Sequence, residues 1–420
     1  MRKAEREATR AAGCFPRHSL YYGETTSRCL LSAAWEDQLA MPELTMTESE
    51  TRAGMQDRYS RQILFAGIGA VGQERLAQAH AAIVGVGATG AAAASLLARA
   101  GVGRLTLIDR DFVEPSNLQR QILFDEEDAR EALPKAEAAR RHIARFNSEV
   151  VVDAYIADLV PANVAELLRG QGSGPRAQGS VDLVLDATDN FETRYLINDY
   201  AVETGTPWIY AAAVGAYAAT MNVLPRSANG TAEPWALSPE PCLPSACLAC
   251  IFPNAPAGPV ETCDTAGILA TAVNLVASIQ VTEALKLLTG QPQRMRRTLY
   301  THDLWTGERS EISTSAPDPG CRVCARREFT HLAGVGRPHI TLCGRNSVQI
   351  HEHHRPVDLA AMHRRLAGNA EVEELRSNAL LLRFRRGPHT LTLFPDGRAL
   401  IQGTTDIALA RTLYARFIGT

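Results

Sequence analysis

The residues most able to do chemistry begin with Gly85-Val86-Gly87-Ala88-Thr89-Gly90, a G-x-G-x-x-G turn between an apolar run and a small-residue stretch. Glycines there let the backbone approach phosphate oxygens, and a helix starting at such a turn offers free N–H groups and the positive end of its dipole. Asp109 ends the next apolar run, about 20 residues on, where a carboxylate can accept ribose hydroxyls. Turn and acid together predict a nucleotide site without separating ATP from NAD. The residues that follow favour a triphosphate: Asp109-Arg110-Asp111 leads to Ser116-Asn117-Leu118-Gln119-Arg120-Gln121, then Lys135, then Thr188-Asp189-Asn190. A dinucleotide's pyrophosphate needs little positive charge, whereas a triphosphate with Mg²⁺ needs cationic side chains plus a carboxylate for the metal. Arg120 and Lys135 meet the first need, and Asp189, at a strand's carboxyl end, meets the second. Each alone would read as a surface charge; their order along one chain argues for a set. An NAD-dependent oxidoreductase is the competing reading, opposed by Arg120, Lys135 and Asp189.

Cysteine forms the second constellation. Cys247-x-x-Cys250 and Cys321-x-x-Cys324 have seventy residues between them. Four thiolates close a tetrahedral Zn²⁺ site with no open position, and the long separation means the fold must assemble it. Such a site is structural; redox use of either pair is the alternative, and Cys242 stands outside the set. Cys263, in Glu261-Thr262-Cys263-Asp264-Thr265-Ala266-Gly267, immediately precedes a long helical stretch. A thiol near a helix N-terminus can have a lowered pKa and act as a nucleophile, or simply be buried.

The elements that must position these groups are legible in outline. Short apolar runs at 81–85, 104–108, 150–155, 181–186 and 207–212 alternate with helical patterns at 73–78, 91–100, 134–146 and 191–204. That alternation predicts an α/β fold, a doubly wound, mostly parallel sheet with ligands beyond the strands' carboxyl ends. Residues 169–179 read as a surface loop, and 228–246, rich in Pro, Ser and Glu, as a lid or a tolerated insertion. In the tail, 339–350, 379–384, 390–394 and 399–402 read as strands, with helices at 357–366 and 406–417. Three parts follow: a poorly ordered extension over 1–54, a nucleotide-binding domain over 55–330, and a small α+β domain over 337–420.

Composition excludes several classes. Of the 420 residues 45% are hydrophobic and 21% charged, and the net charge of −3 gives no reason to expect nucleic acid or an anionic membrane as partner. No apolar run approaches the roughly 20 residues that span a bilayer. Nine cysteines, an odd count without a secretory signal, point to a reducing cytoplasm and to cysteines used for metal or chemistry.

Taken in order, Arg58-Tyr59-Ser60-Arg61-Gln62, the glycine turn, the Ser-Asn-Leu-Gln-Arg-Gln run, Lys135, Asp189-Asn190 and the final CxxC resemble the bacterial MoeB and ThiF adenylyltransferases and their relatives in the ubiquitin-activating superfamily. The match runs from residue 58 to residue 324, and several motifs in family order are far more specific than any one alone. The resemblance implies that ATP and a small ubiquitin-like sulfur-carrier protein ending in Gly-Gly are the substrates. The carrier's terminal carboxylate would be adenylated for molybdopterin or thiamine biosynthesis. Another carboxylate, or modified tRNA, is the alternative substrate at the same site. It implies that Arg61 reaches across a homodimer interface to the partner's triphosphate. Asp109 would hold the ribose, while Arg120, Lys135 and the backbone at Gly87 and Ala88 hold the phosphates. Asn117 would orient the phosphates and Asp189 would bind Mg²⁺. Cys263 would match the cysteine of thioester or sulfur-transfer steps, with a sulfurtransferase or cysteine desulfurase as further partner. Ala88 stands where many relatives carry another glycine, which is tolerated where φ is negative. Some relatives carry a rhodanese domain in the tail; Cys343-Gly344-Arg345 is a faint echo of its loop and lies too early. His351, His353 and His354 beside Glu352 read as a solvated strand end rather than a metal site. The tail is therefore expected to dock a partner or the carrier.

Overall fold

The computed structural model describes residues 57–169, 180–226, 243–254, 265–334, 340–343, 347–350 and 356–419. The extension over 1–54, most of the candidate lid, all but the first residue of the 169–179 loop, Cys242, Cys263 and the His351–His354 cluster lie outside the described residues, as does the side chain of Cys343.

The larger sheet has eight strands. β1 (His80–Val84), β2 (Arg104–Ile108), β3 (Val151–Tyr155), β4 (Leu183–Asp186) and β5 (Trp208–Val214) run parallel in the order β3-β2-β1-β4-β5. β6 (Tyr217–Val223), β7 (Thr298–Asp303) and β8 (Arg309–Ser313) continue it antiparallel beyond β5. β1 and β4 are buried along their whole length, which is why they read as continuous apolar runs rather than alternating ones.

Helices cover both faces. α1 (Ser60–Ile63) and α2 (Gly69–Gln78) lead into β1, and α3 (Ala88–Ala100) follows the glycine turn. Alanines on α3 let it pack closely under the sheet, and Gly101, left-handed at φ 82°, ends it. The short α4 (Glu126–Arg130) precedes α5 (Lys135–Phe146), and α6 (Val164–Arg169) follows β3. α7 (Phe191–Thr204), capped by the Asn190 side chain, covers the opposite face from α3 and α5. α8 (Leu248–Ile251) is one turn long, and α9 (Ala270–Leu288) packs against α3, α2, β5 and β6. The doubly wound, mostly parallel expectation holds; the antiparallel edge of β6, β7 and β8 was not anticipated, because β7 and β8 are polar and half-exposed.

A second sheet of six antiparallel strands follows in the order β11-β12-β13-β14-β10-β9. Its strands are β9 (Ile340–Cys343), β10 (Ser347–Ile350), β11 (Glu373–Ser377), β12 (Leu382–Arg386), β13 (His389–Leu393) and β14 (Ala399–Gln402). α10 (Leu359–Ala367) and α11 (Ile407–Phe417), each N-capped by an aspartate (Asp358 and Asp406), close one face around Phe384, Leu391 and Ile401. The single strand expected over 339–350 is an antiparallel pair, since twelve residues exceed an ordinary strand. β11 escaped notice because it is an edge strand of charged, exposed residues.

Candidate functional site

The carboxyl ends of β1, β2 and β4 are level, because Val84 pairs with both Ile108 and Asp186. Gly85, Asp109 and Ala187 therefore emerge side by side, at the point where the chain leaves β1 for β2 on one side and β4 on the other. Open α/β sheets bind ligands at such a switch point. Gly85 adopts φ 85°, and a Cβ there would lie 2.7 Å from the Ala187 carbonyl oxygen. Gly90 sits against the Gly85 carbonyl, where no side chain fits. Gly87 differs: a Cβ there would meet only the Gln121 amide nitrogen, at 3.8 Å, so the mouth of the turn is open. The Oε1 of Gln121 is buried without a hydrogen-bond partner among the described residues. An open glycine turn beside an unsatisfied polar atom fits a polar ligand such as a triphosphate.

Asp109 is buried and binds the turn directly. Its Oδ2 accepts the Val86 N–H at 2.6 Å and its Oδ1 the Asp111 N–H at 2.7 Å. Each oxygen keeps a further lone pair for a hydroxyl donor. Burial pushes the Asp109 carboxyl up from its ordinary value; the Lys135 ammonium is the chief opposing influence, and Asp111 adds to the rise. Lys135 opens α5 and lies almost fully buried, its Nζ 3.1 Å from Asp111 Oδ2. Arg120 is buried as well and donates to the Ser116 carbonyl at 2.8 Å. The structure thus brings Gly85, Gly87, Ala88, Gly90, Asp109, Asp111 and Lys135 to one edge of the sheet.

Asn117 is fully enclosed, and its Oδ1 accepts the Glu114 N–H at 3.1 Å, so its side chain shapes the turn that carries Ser116 and Arg120. Asn190 caps α7 by accepting the Thr193 N–H at 2.8 Å. Asp189, between them in the chain after β4, is exposed. Arg61 is exposed on α1, away from the strand ends, while its neighbours anchor that helix: the Tyr59 hydroxyl accepts from Asn147 and Gln62 donates to the Ala100 carbonyl. α9 begins at Ala270, after a parallel bridge at Ile268 in which Gly215 donates to the Gly267 carbonyl and accepts the Leu269 N–H. Six residues lie between Cys263, itself outside the described residues, and the first residue of that helix.

One pair was missed. Arg194 Nε lies 3.2 Å from the buried Asp186 Oδ2, and the guanidinium also donates to the Thr188 carbonyl. Burial pushes the Asp186 carboxyl up, against Arg194 and Thr188. The pair stiffens the turn that presents Asp189. An arginine in a helix's first turn opposes the dipole unless it has a partner, and that was the available signal.

The two CxxC pairs meet as expected. The Cys247 Sγ lies 3.8 Å from that of Cys250 and 3.7 Å from that of Cys321, and Cys250 lies 3.4 Å from Cys324. No disulfide joins these four. Tetrahedral Zn–S bonds of about 2.3 Å put neighbouring sulfurs about 3.8 Å apart, so the spacing fits a zinc ion. The crowded thiols share protons: contact with its neighbours pushes the Cys247 thiol up, and a hydrogen bond from Cys247 lowers Cys321 to about 6. All four could be thiolates only around a cation. Asn198 on α7 accepts the Leu248 N–H at 2.9 Å, tying the first pair to the sheet's helix layer.

The ThiF family pattern matches residues 59–323. The chain is 42% identical over 370 residues to the sulfur carrier protein ThiS adenylyltransferase of Bacillus subtilis, covering 87% of this chain and all of that protein. It is 35% identical to the sulfur carrier protein adenylyltransferase of Thermus thermophilus over 64% of this chain and 90% of that one. Among solved structures, that of E. coli MccB shares the fold at a TM-score of 0.52 and 20% identity, over 64% of this chain and 74% of that one. With the glycine turn, the cationic residues beside it and Cys247, Cys250 and Cys321 all inside the matched span, the chain belongs to the ThiF family.

Proposed function

We propose that the chain is an ATP-dependent adenylyltransferase acting on a small ubiquitin-like sulfur-carrier protein that ends in Gly-Gly, in thiamine or molybdopterin biosynthesis. One observation carries the reading: the open turn at Gly87 faces level strand ends, with Lys135 held beside it against Asp111. The relative that matches over its whole length is named for the same reaction. Asp109 binds the ribose, Arg120 and Lys135 neutralise the phosphates, and Asp189 binds Mg²⁺. An oxygen of the carrier's terminal carboxylate attacks the α-phosphorus, the bond to the bridging oxygen breaks, and pyrophosphate leaves; Mg²⁺ on Asp189 would supply charge neutralisation for the phosphates. The protein aligns reactants and neutralises charge, so this step needs no protein nucleophile.

Cys247, Cys250, Cys321 and Cys324 hold Zn²⁺ as a closed structural site. The enzyme works as a homodimer in the cytoplasm. Arg61 lies beside Leu64 and Phe65, which are 74% and 65% exposed and suit an interface. Cys263 serves transfer after adenylation, with a cysteine desulfurase or sulfurtransferase supplying sulfur. The described residues contain no helix long and apolar enough to cross a membrane. The test is pyrophosphate–ATP exchange with purified Gly-Gly carriers. Exchange should require the carrier and vanish when its terminal glycine is removed; exchange indifferent to the carrier's terminus would overturn the reading.

A further inference from the structure

Arg398 is 1% exposed, although a fully buried arginine is rare and unfavourable unless bonded. It lies between β13 and β14 of the second sheet, yet its guanidinium points into the first. Nη1 is 3.4 Å from the Arg110 carbonyl oxygen and Nη2 is 3.3 Å from the Ile156 carbonyl oxygen. Asp396 Oδ2 approaches Nε at 3.5 Å, and the Phe394 ring lies 4.0 Å beneath. The two carbonyls belong to the segments leaving β2 and β3. Arg110 sits between Asp109 and Asp111, so this guanidinium holds the peptide that carries both acids.

Further contacts grip the same segment. Phe112 is buried among Leu381, Phe394 and Leu400, and the Arg383 guanidinium covers its ring at 4.7 Å. Gln402 donates to Glu114 at 3.3 Å, and Gln349 donates to Asp158, the partner of Arg110, at 3.2 Å. These groups come from the strands of the second sheet and the turns between them, and they end on the segments that follow β2 and β3, the first of which carries Asp109 and Asp111. The strands of the first sheet fix where those loops begin, and Arg398 donates to a carbonyl on each.

We propose that Arg398 is a positioning residue of the nucleotide site, through which the second sheet sets the Asp109–Asp111 loop for ATP. The proposal rests on the nucleotide reading of the glycine turn. It acts on binding of the ribose and phosphates rather than on the carboxylate's attack, so it should move KM for ATP and leave kcat and the carrier's KM nearly untouched.

The test uses the full chain in pyrophosphate–ATP exchange. Arg398→Gln should raise the ATP KM about tenfold with kcat changed less than about threefold, and Arg398→Lys, which keeps the charge and one donor direction, should recover part of the loss. The double variant Gln349→Ala/Gln402→Ala removes two side-chain hydrogen bonds to the first domain, touches no apolar core residue and should raise the ATP KM by about threefold, which keeps the test decisive should Arg398→Gln not fold. A lowered melting temperature with unchanged ATP KM would make Arg398 a packing residue and overturn the proposal, as would an unchanged KM in the double variant. Asp109→Asn, measured alongside, separates the two ideas: if it leaves ATP binding intact, the nucleotide reading itself fails.

Discussion

At Gly90 an added Cβ would lie 1.8 Å from the Gly85 carbonyl oxygen, whereas at Gly87 it would meet only the Gln121 amide, at 3.8 Å. One sequence motif therefore joins a packing glycine to a ligand-facing one. Gly90→Ala should destabilise the fold by about 2 kcal/mol or more, because backbone must shift. Gly87→Ala should melt within about 2 °C of the parent yet raise the ATP KM at least about tenfold. Thermal melts and exchange kinetics on both variants check this; equal melting losses would contradict it. Lys135→Ala should cut exchange by about 100-fold, since it removes a preorganised cation. Sequence order was enough to nominate Asp109 and Lys135, because both stand at element ends beside the turn. It could not show that Asn117 would turn inward to its own loop, which depends on local hydrogen bonding.

Among the elements, the cysteine loops are the ones held by chemistry rather than by length. α8 has four residues, too few to be stable alone, and depends on Asn198 and on its cysteines. One zinc per chain is expected by elemental analysis, and chelation or Cys321→Ser should lower the melting temperature by on the order of 10 °C. A melt indifferent to chelation would count against the structural role. α7 carries a second test. Asp199 accepts the backbone N–H groups of His331 and Leu332 at 2.9 and 3.3 Å, and burial pushes its carboxyl up to about 6. Between about pH 4 and pH 6 the folded chain keeps a proton that the unfolded chain releases, so stability falls as pH rises through this window. Asp199→Asn keeps an acceptor oxygen and removes the titration. Its melting temperature relative to the parent should be near zero difference at pH 4 and rise to a plateau above pH 6, worth on the order of 2 kcal/mol. A difference that does not change with pH would refute it.

At the scale of the whole molecule, the proposed homodimer makes a prediction that packing within one chain cannot. Arg61 and Lys135 would serve the same active site from different protomers. Arg61→Ala and Lys135→Ala should each keep on the order of 1% of the activity, while mixing them under exchange of subunits should restore about a quarter of the parent activity, through one intact site in each mixed dimer. Absence of recovery in mixed dimers isolated by tandem tags would place Arg61 outside the partner's site. The second sheet belongs to this scale too. Its expected role was docking, yet Phe112, packed among Leu381, Phe394 and Leu400, gives it a contact with the nucleotide loop.

The sequence by itself determined the wound sheet, the turn at Gly85 to Gly90, the acid after β2 and the four cysteines of the cluster. These follow from local causes: apolar periodicity, glycine's freedom, and ligand types at fixed spacing. Only the tertiary structure decided that Gln280, in an apolar helix, donates to the Asp186 and Ile209 carbonyls, and that Arg194 pairs with Asp186. It also decided that Arg398 crosses from one sheet to the loop of the other. The Gln280 and Arg398 contacts join residues far apart in the chain, and all three satisfy buried polar groups whose need for a partner arises from the packing of the sheets, which no local pattern records.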